Sequence, residues 1–226
     1  MPDPAAAAAC EAARAAFGDC EDPAIFDRYA PQPGWFADAA EGPHGHGHAA
    51  RVLFWADAIG RLMQEDGIAV DLEVVRWAAV LHDSRRVSEG SDPAHGRRAA
   101  TWARETNLAP LWRLSPAARE AVSYCCEWHV PPDREAPRLT AELVCLKDAD
   151  SLDRVRFGTL QRRFLRTPYA HRFATAAQML FDASRTCPPG AELQWVAVRA
   201  AAGRLREAGA APVESTWPPG GCCFTC

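Results

Sequence analysis

Lysine is nearly absent from this chain. Lys147 is the only one, and arginine supplies every other basic side chain. That skew reflects coding bias more than chemistry and points to no function. A basic excess is missing too: the formal net charge is −4, which argues against general nucleic-acid binding. No stretch approaches the roughly 18 continuous apolar residues of a membrane span, so no membrane partner is expected. The opening Met-Pro-Asp-Pro and its alanines lack the basic start and apolar core of a secretory signal. The expectation is a cytoplasmic, reduced location in which most of the nine cysteines are free thiols. Strand-like alternation and internal repeats are also lacking, which leaves an all-α class.

What is present suits one sizeable helical domain. A hydrophobic share of 48% and eight tryptophans are enough for a real core. Residues 1–39 form a lead-in, Ala-rich over 4–17, with short helical turns around Ile25, Phe26, Tyr29, Trp35 and Phe36. From 48 to about 65, Val52, Trp55, Ala56, Ile59, Leu62 and Met63 recur at helical spacing. Asp71 is a good N-cap for a helix running up to His82-Asp83. Residues 84–94 read as a loop, and a helix over about 95–105 follows. Ser115-Pro116 opens another, as cap and first turn, ending at Val130-Pro131-Pro132. Thr140 opens Ala141–Asp153, and further helical segments are expected around 159–166, 169–184 and 191–208. The body of the fold is 40–210, and the Cys-rich tail 211–226 is expected to be poorly ordered.

Histidines and acidic residues fall on the inward stripes of these helices. His48 lies four before Val52, His82 four after Ala78, and His129 four after Cys125. Asp150 shares a stripe with Leu143 and Leu146, whereas Asp148 points roughly 200° away and suits a cap. Charged groups rarely enter a core unless they are paired or bind a metal. Imidazoles and carboxylates from separate helices suit a divalent transition metal with open positions. Cys125, Cys126 and Cys145 read as small buried hydrophobes. The C-x-x-C spacing of Cys223 and Cys226, with Cys222, lacks a second pair and is a weak zinc or redox signal.

The order His-x-x-Arg-Val (from His48), His82-Asp83 and Asp148-Ala-Asp150-Ser-Leu-Asp153 resembles the HD-domain superfamily of metal-dependent phosphohydrolases. The preceding His44-Gly45-x-Gly47-His48 is similar to that family's approach to its first core helix. The resemblance covers about residues 40–160 and implies a bundle of five or more helices around one buried metal. It implies His48, His82, Asp83 and Asp150 as ligands of a divalent ion (Mn, Fe, Co, Ni, Zn or Mg), with Asp83 also catalytic. Two departures stand out. Ser84-Arg85-Arg86 follows the pair where many members have a Gly. Arg86 stands where the branch resembling 5′-deoxynucleotidases has a Glu, which makes a deoxynucleotide monophosphatase less expected.

His95 and His129 fill the slots that dinuclear members use for a second metal. Only 11 residues separate Asp83 from His95. His95 is therefore expected to bind substrate phosphate at a helix start or to act as general acid, with second-metal ligation as the alternative. His129 is expected near the metal. Arg85, Arg86, Arg97 and Arg98 bracket the 84–94 loop as candidate phosphate clamps, against the plain reading of a solvated face. Lys147, about 60° from Asp150, is a candidate to reach the leaving oxygen. His44 and His46 are expected in supporting or solvent roles, and His171 at the surface. The expected activity is hydrolysis of a phosphate mono- or diester of a nucleotide or small metabolite. The alternatives are an HD-type di-iron oxygenase and a non-catalytic metal-containing scaffold or sensor.

Overall fold

In a computed structural model, residues 8, 11–12, 16–17, 23–37, 40–106, 110–185 and 190–210 are described, and among them every regular element is helical. The α-helices are α1 (Ile25–Arg28), α2 (His46–Glu65), α3 (Leu72–Leu81), α4 (His95–Glu105), α5 (Pro116–Trp128), α6 (Ala141–Leu152), α7 (Pro168–Ser184) and α8 (Ala191–Ala210). Their starts follow from capping chemistry. Asp71 accepts from the amides of Glu73 and Val74, Ser115 from Ala118, Thr140 from Leu143 and Thr167 from Ala170. Pro116 and Pro168 occupy first turns, where a missing N–H costs nothing.

Helix α2 is buried on nearly every face, as a central helix must be. It packs against α3, α6, α7 and α8, while α5 covers α3 and α4 lies along α5. Phe54 and Trp55 are fully buried on it, each such side chain contributing about 1.5–3 kcal/mol. The lead-in belongs to the same core. Phe26 stacks on Phe54 at 6.4 Å and meets Trp195 of α8 edge-on at 5.6 Å, and Trp195 Nε1 donates to the Phe26 carbonyl.

Residues 159–166 do not form the expected helix; only the 3₁₀ turn Arg162–Phe164 appears there. Gly158 at φ +63° ends the preceding turn. Asp148 then takes the amides of Arg166 and Thr167 at 2.8 Å each and the Thr167 hydroxyl at 2.7 Å, holding this stretch extended up to Pro168. Most of 4–17 and all of the tail with Cys222, Cys223 and Cys226 lie outside the described residues. Cys125, Cys126 and Cys145 are buried free thiols.

Candidate metal centre

The histidines sit at helix ends, where spare backbone carbonyls fix their rings. His82 follows the last turn of α3, and its Nδ1 lies 2.8 Å from the Ala79 carbonyl. His129 repeats the device after α5, with Nδ1 2.7 Å from the Cys126 carbonyl. His48, near the start of α2, places Nδ1 2.7 Å from Asp153 Oδ2. A carbonyl or carboxylate can only accept, so Nδ1 carries the proton and Nε2 presents a lone pair. The result is two imidazole pairs with Nε2 atoms face to face: His48–His82 at 3.1 Å and His95–His129 at 2.9 Å.

Asp83, just past α3, lies between the pairs. Its Oδ2 is 2.8 Å from His44 Nδ1, 3.4 Å from His48 Nε2 and 3.8 Å from His82 Nε2. Its Oδ1 is 2.8 Å from His95 Nε2 and 3.6 Å from His129 Nε2. Asp150 approaches from α6, with Oδ1 3.5 Å from His48 Nε2. Its side chain is 33% exposed, against 6% or less for His48, His82 and Asp83, so this is the open side. Ligand atoms of His48/His82/Asp150, of His82/Asp83/His129 and of His44/His48/Asp83 each lie within 4.8 Å of one another. Lone pairs converge here with few protons between them. That donor set fits a divalent cation and would otherwise be self-repelling.

The electrostatics of His82 and the carboxylates agree. Burial pushes His82 down to about 3, so its ring is neutral at physiological pH. Burial would raise Asp83, yet His82, His129, His44 and His48 hold it well below the usual carboxylate range. Asp150 is likewise lowered against its burial by His48, His82 and Arg156. Asp153, fully buried, is lowered against burial by Arg51 and His48. Burial and Arg156 would lower His48, but Asp153 and Asp83 raise it overall.

The sequence-predicted residues divide sharply. His48, His82, Asp83, Asp150, His95 and His129 come together. The short 84–94 loop returns the chain directly to Asp83. His95 also approaches closely because a Cβ on Gly96 would stand 2.5 Å from the Cys126 carbonyl, so only glycine lets α4 lie this near α5. His95 therefore faces Asp83 instead of an anion at the helix start. Its Nδ1 lies 2.5 Å from the Asp92 carbonyl and 3.1 Å from Arg86 Nη1. The first needs a proton on Nδ1 and leaves Nε2 bare. The second needs a bare Nδ1 and puts the proton on Nε2, toward Asp83.

Lys147 does not reach the cluster. Its Nζ donates to the Pro131 carbonyl at 2.6 Å and to Asp133 at 2.9 Å, because that loop offers a buried ammonium the acceptors it requires. The arginine clamp also fails in this arrangement. Arg86 is buried behind His95 and spends Nη2 and Nε on the Gly90 and Ser88 carbonyls. Arg85 lies over Trp102 and donates to the Trp35 carbonyl. Arg98 binds the Arg85 carbonyl and Asp92, and Arg97 is exposed. Backbone carbonyls, which need donors, have taken part of each of Arg85, Arg86 and Arg98. His46 packs on Phe36 and stands apart from the cluster, and His171 is exposed.

His44, expected in a supporting or solvent role, touches Asp83 directly, and the residues missed from sequence are the group behind His48. Arg51 Nε donates to Asp153 Oδ1 at 2.5 Å and Arg156 Nη1 to Asp153 Oδ2 at 3.3 Å. Their signal was the i, i+3 spacing of Arg51 from His48 and of Arg156 from Asp153, which sets opposite charges beside one ring.

Residues 45–155 match the family model described as HD domain. These residues are an HD domain. No curated protein and no solved structure gives a match. The domain spans α2 to the turn after α6, and so contains every metal-site candidate except His44. HD domains bind divalent metals and belong to a superfamily of metal-dependent hydrolases, which the cluster at Asp83 fits. Among the described residues, no helix is long and apolar enough to cross a membrane.

Proposed function

We propose that the chain is a metal-dependent phosphohydrolase that cleaves a phosphate mono- or diester of a nucleotide or small metabolite. The observation that carries this is Asp83, whose Oδ2 faces His44, His48 and His82 and whose Oδ1 faces His95 and His129, beside an open, carboxylate-bearing rim. A divalent cation held by His48, His82, Asp83 and Asp150 would bring the pKa of water toward about 7 and neutralise phosphoryl charge. Asp150, at the open side, is the carboxylate placed to accept a proton. His95, in the state that carries its proton on Nε2, holds that nitrogen 2.8 Å from Asp83 Oδ1 and can pass the proton to a leaving oxygen. Asp83, Asp150 and Asp153 balance Arg51, Arg86 and Arg156, so any divalent cation turns the pocket net positive and suits an anionic ester.

The 2.9 Å His95–His129 approach, on the other oxygen of Asp83, supports a second reading with two cations. A di-iron centre there would admit an oxygenase. Metal per chain on anaerobically purified protein separates these readings. Two metals falling to one in both His95→Ala and His129→Ala mark a dinuclear centre. One metal, unchanged by either, marks a mononuclear one. Phosphate release from a nucleotide and phosphoester panel supports the hydrolase, and oxygen uptake without it supports the oxygenase. Bound metal with neither activity points to a scaffold or sensor. His82→Ala is expected to abolish both metal and activity, and a fully active His82→Ala protein sinks the assignment.

A further inference from the structure

Arg85 and Arg98 are turned to loop acceptors. Arg86, with Nη1 3.8 Å from Asp83 Oδ1 and 3.1 Å from His95 Nδ1, spends Nε and Nη2 on the Ser88 and Gly90 carbonyls, so the pocket needs another group to grip an anion with two donors. Arg156 is a guanidinium at the cluster with a buried donor that has no partner. It lies on the 3₁₀ turn Asp153–Phe157 and its side chain is 5% exposed. Nη1 is committed, donating to the carbonyl and the carboxylate of Asp153 at 3.0 and 3.3 Å. The opposite edge is not. Nε is buried with no hydrogen-bond partner, and the contact of Nη2 is with His44 Nδ1 at 3.2 Å. Nε and Nη2 form the side of the guanidinium that grips two oxygens of a phosphate or carboxylate at once. The face of the group rests on the half-exposed ring of Phe157, 4.3 Å from its centroid, which supports the fork without using its donors.

The contact that covers this edge is conditional. His44 Nδ1 also lies 2.8 Å from Asp83 Oδ2. Accepting from Arg156 requires a lone pair on that nitrogen, whereas donating to Asp83 requires a proton, so one state cannot serve both. An acceptor arriving at Arg156 therefore displaces a poorly matched imidazole and not a carboxylate. It also lands beside the carboxylate oxygen that the His48–His82 side of the cluster shares.

We propose that Arg156 is the anion-recognition residue of this site, its Nε/Nη2 edge receiving two oxygens of the substrate phosphate once His44 turns from it. The assignment rests on the phosphohydrolase reading and adds to it the group that receives two free phosphate oxygens, which mono- and diesters both present. The test is calorimetric binding of inorganic phosphate to the full-length, manganese-loaded protein, with metal content measured for each variant. Arg156→Gln is expected to weaken phosphate roughly tenfold or more at unchanged metal content. Arg156→Lys, which keeps the charge but loses the fork, is expected to fall between it and the parent. His44→Ala should bind phosphate at least as tightly as the parent, and Arg97→Gln the same as the parent. Should Arg156→Gln disturb the metal through Asp153, Arg156→Lys carries the comparison. Parent-like affinity in the metal-replete Arg156 variants overturns the assignment while leaving the hydrolase reading intact. A parent protein that holds metal but binds no phosphate overturns both.

Discussion

Asp153 holds no place among the first ligands, yet it fixes the geometry of His48. It is fully buried, accepts from the ring at 2.7 Å and is itself gripped by Arg51. Groups that orient a ligating imidazole typically tune affinity about 10–100-fold. Asp153→Asn, which keeps the shape and removes the charge, is therefore expected to weaken metal binding by about that factor with helicity unchanged. Competition with a metal chelator measures it, and parent-like affinity would show that the backbone alone sets the ring. At this scale the sequence made the clustering residues legible, because 100° per residue assigns each His and Asp to an inward or outward stripe. Arginine and lysine were not legible in that way. Their charged ends sit several bonds from the backbone, and which carbonyl or carboxylate they meet depends on other segments: Gly90 for Arg86, Pro131 and Asp133 for Lys147.

Gly96 decides how closely two helices may meet. A Cβ there would also lie 3.1 Å from His129 Cε1, and neither that ring nor the Cys126 carbonyl can yield freely. Gly96→Ala should force α4 away from α5 at a cost of about 1–3 kcal/mol. The melting temperature should fall, and in a dinuclear centre metal at His95 and His129 should be lost before metal at His48 and His82. Metal content alongside thermal unfolding checks this; an unchanged melting temperature and metal count would mean that the helices have slack. Helix starts were legible wherever a cap was written locally, as at Asp71, Ser115 and Thr140. The 159–166 stretch was misread because its extended form is imposed by Asp148, which lies some 18 residues back and donates nothing to local periodicity.

Across the whole molecule, acid sensitivity has an identifiable source outside the metal cluster. Hydrogen bonds from Arg166, aided by Lys147, hold Asp133 at about 2 against its burial. In the unfolded chain the same carboxyl titrates near 3.9. A depressed folded value means that Asp133 adds stability above about pH 4 and loses it as pH falls through about 2. Asp133→Asn should therefore melt below the parent at neutral pH, with the gap closing between about pH 4 and pH 2. A gap of constant size down to pH 2 would assign the effect to packing. The helical class and the order of helices were readable from composition and spacing. The union of lead-in and C-terminal helix was not, since Phe26 and Trp195 lie far apart in sequence and meet only when both cover Phe54.

The lone lysine has a practical corollary. Lys147 keeps 3% of its side chain exposed and gives its ammonium to Pro131 and Asp133, so the folded protein offers no lysine amine to solution. Among side chains, permanent cationic charge on its surface is therefore guanidinium charge, which amine acylation does not remove. An amine-directed acylating reagent should leave Lys147 untouched in the native state and modify it only when α6 parts from the Pro131–Asp133 loop. Peptide mapping of acylation at Lys147 would then report opening of that seam at a single atom, with no engineered label.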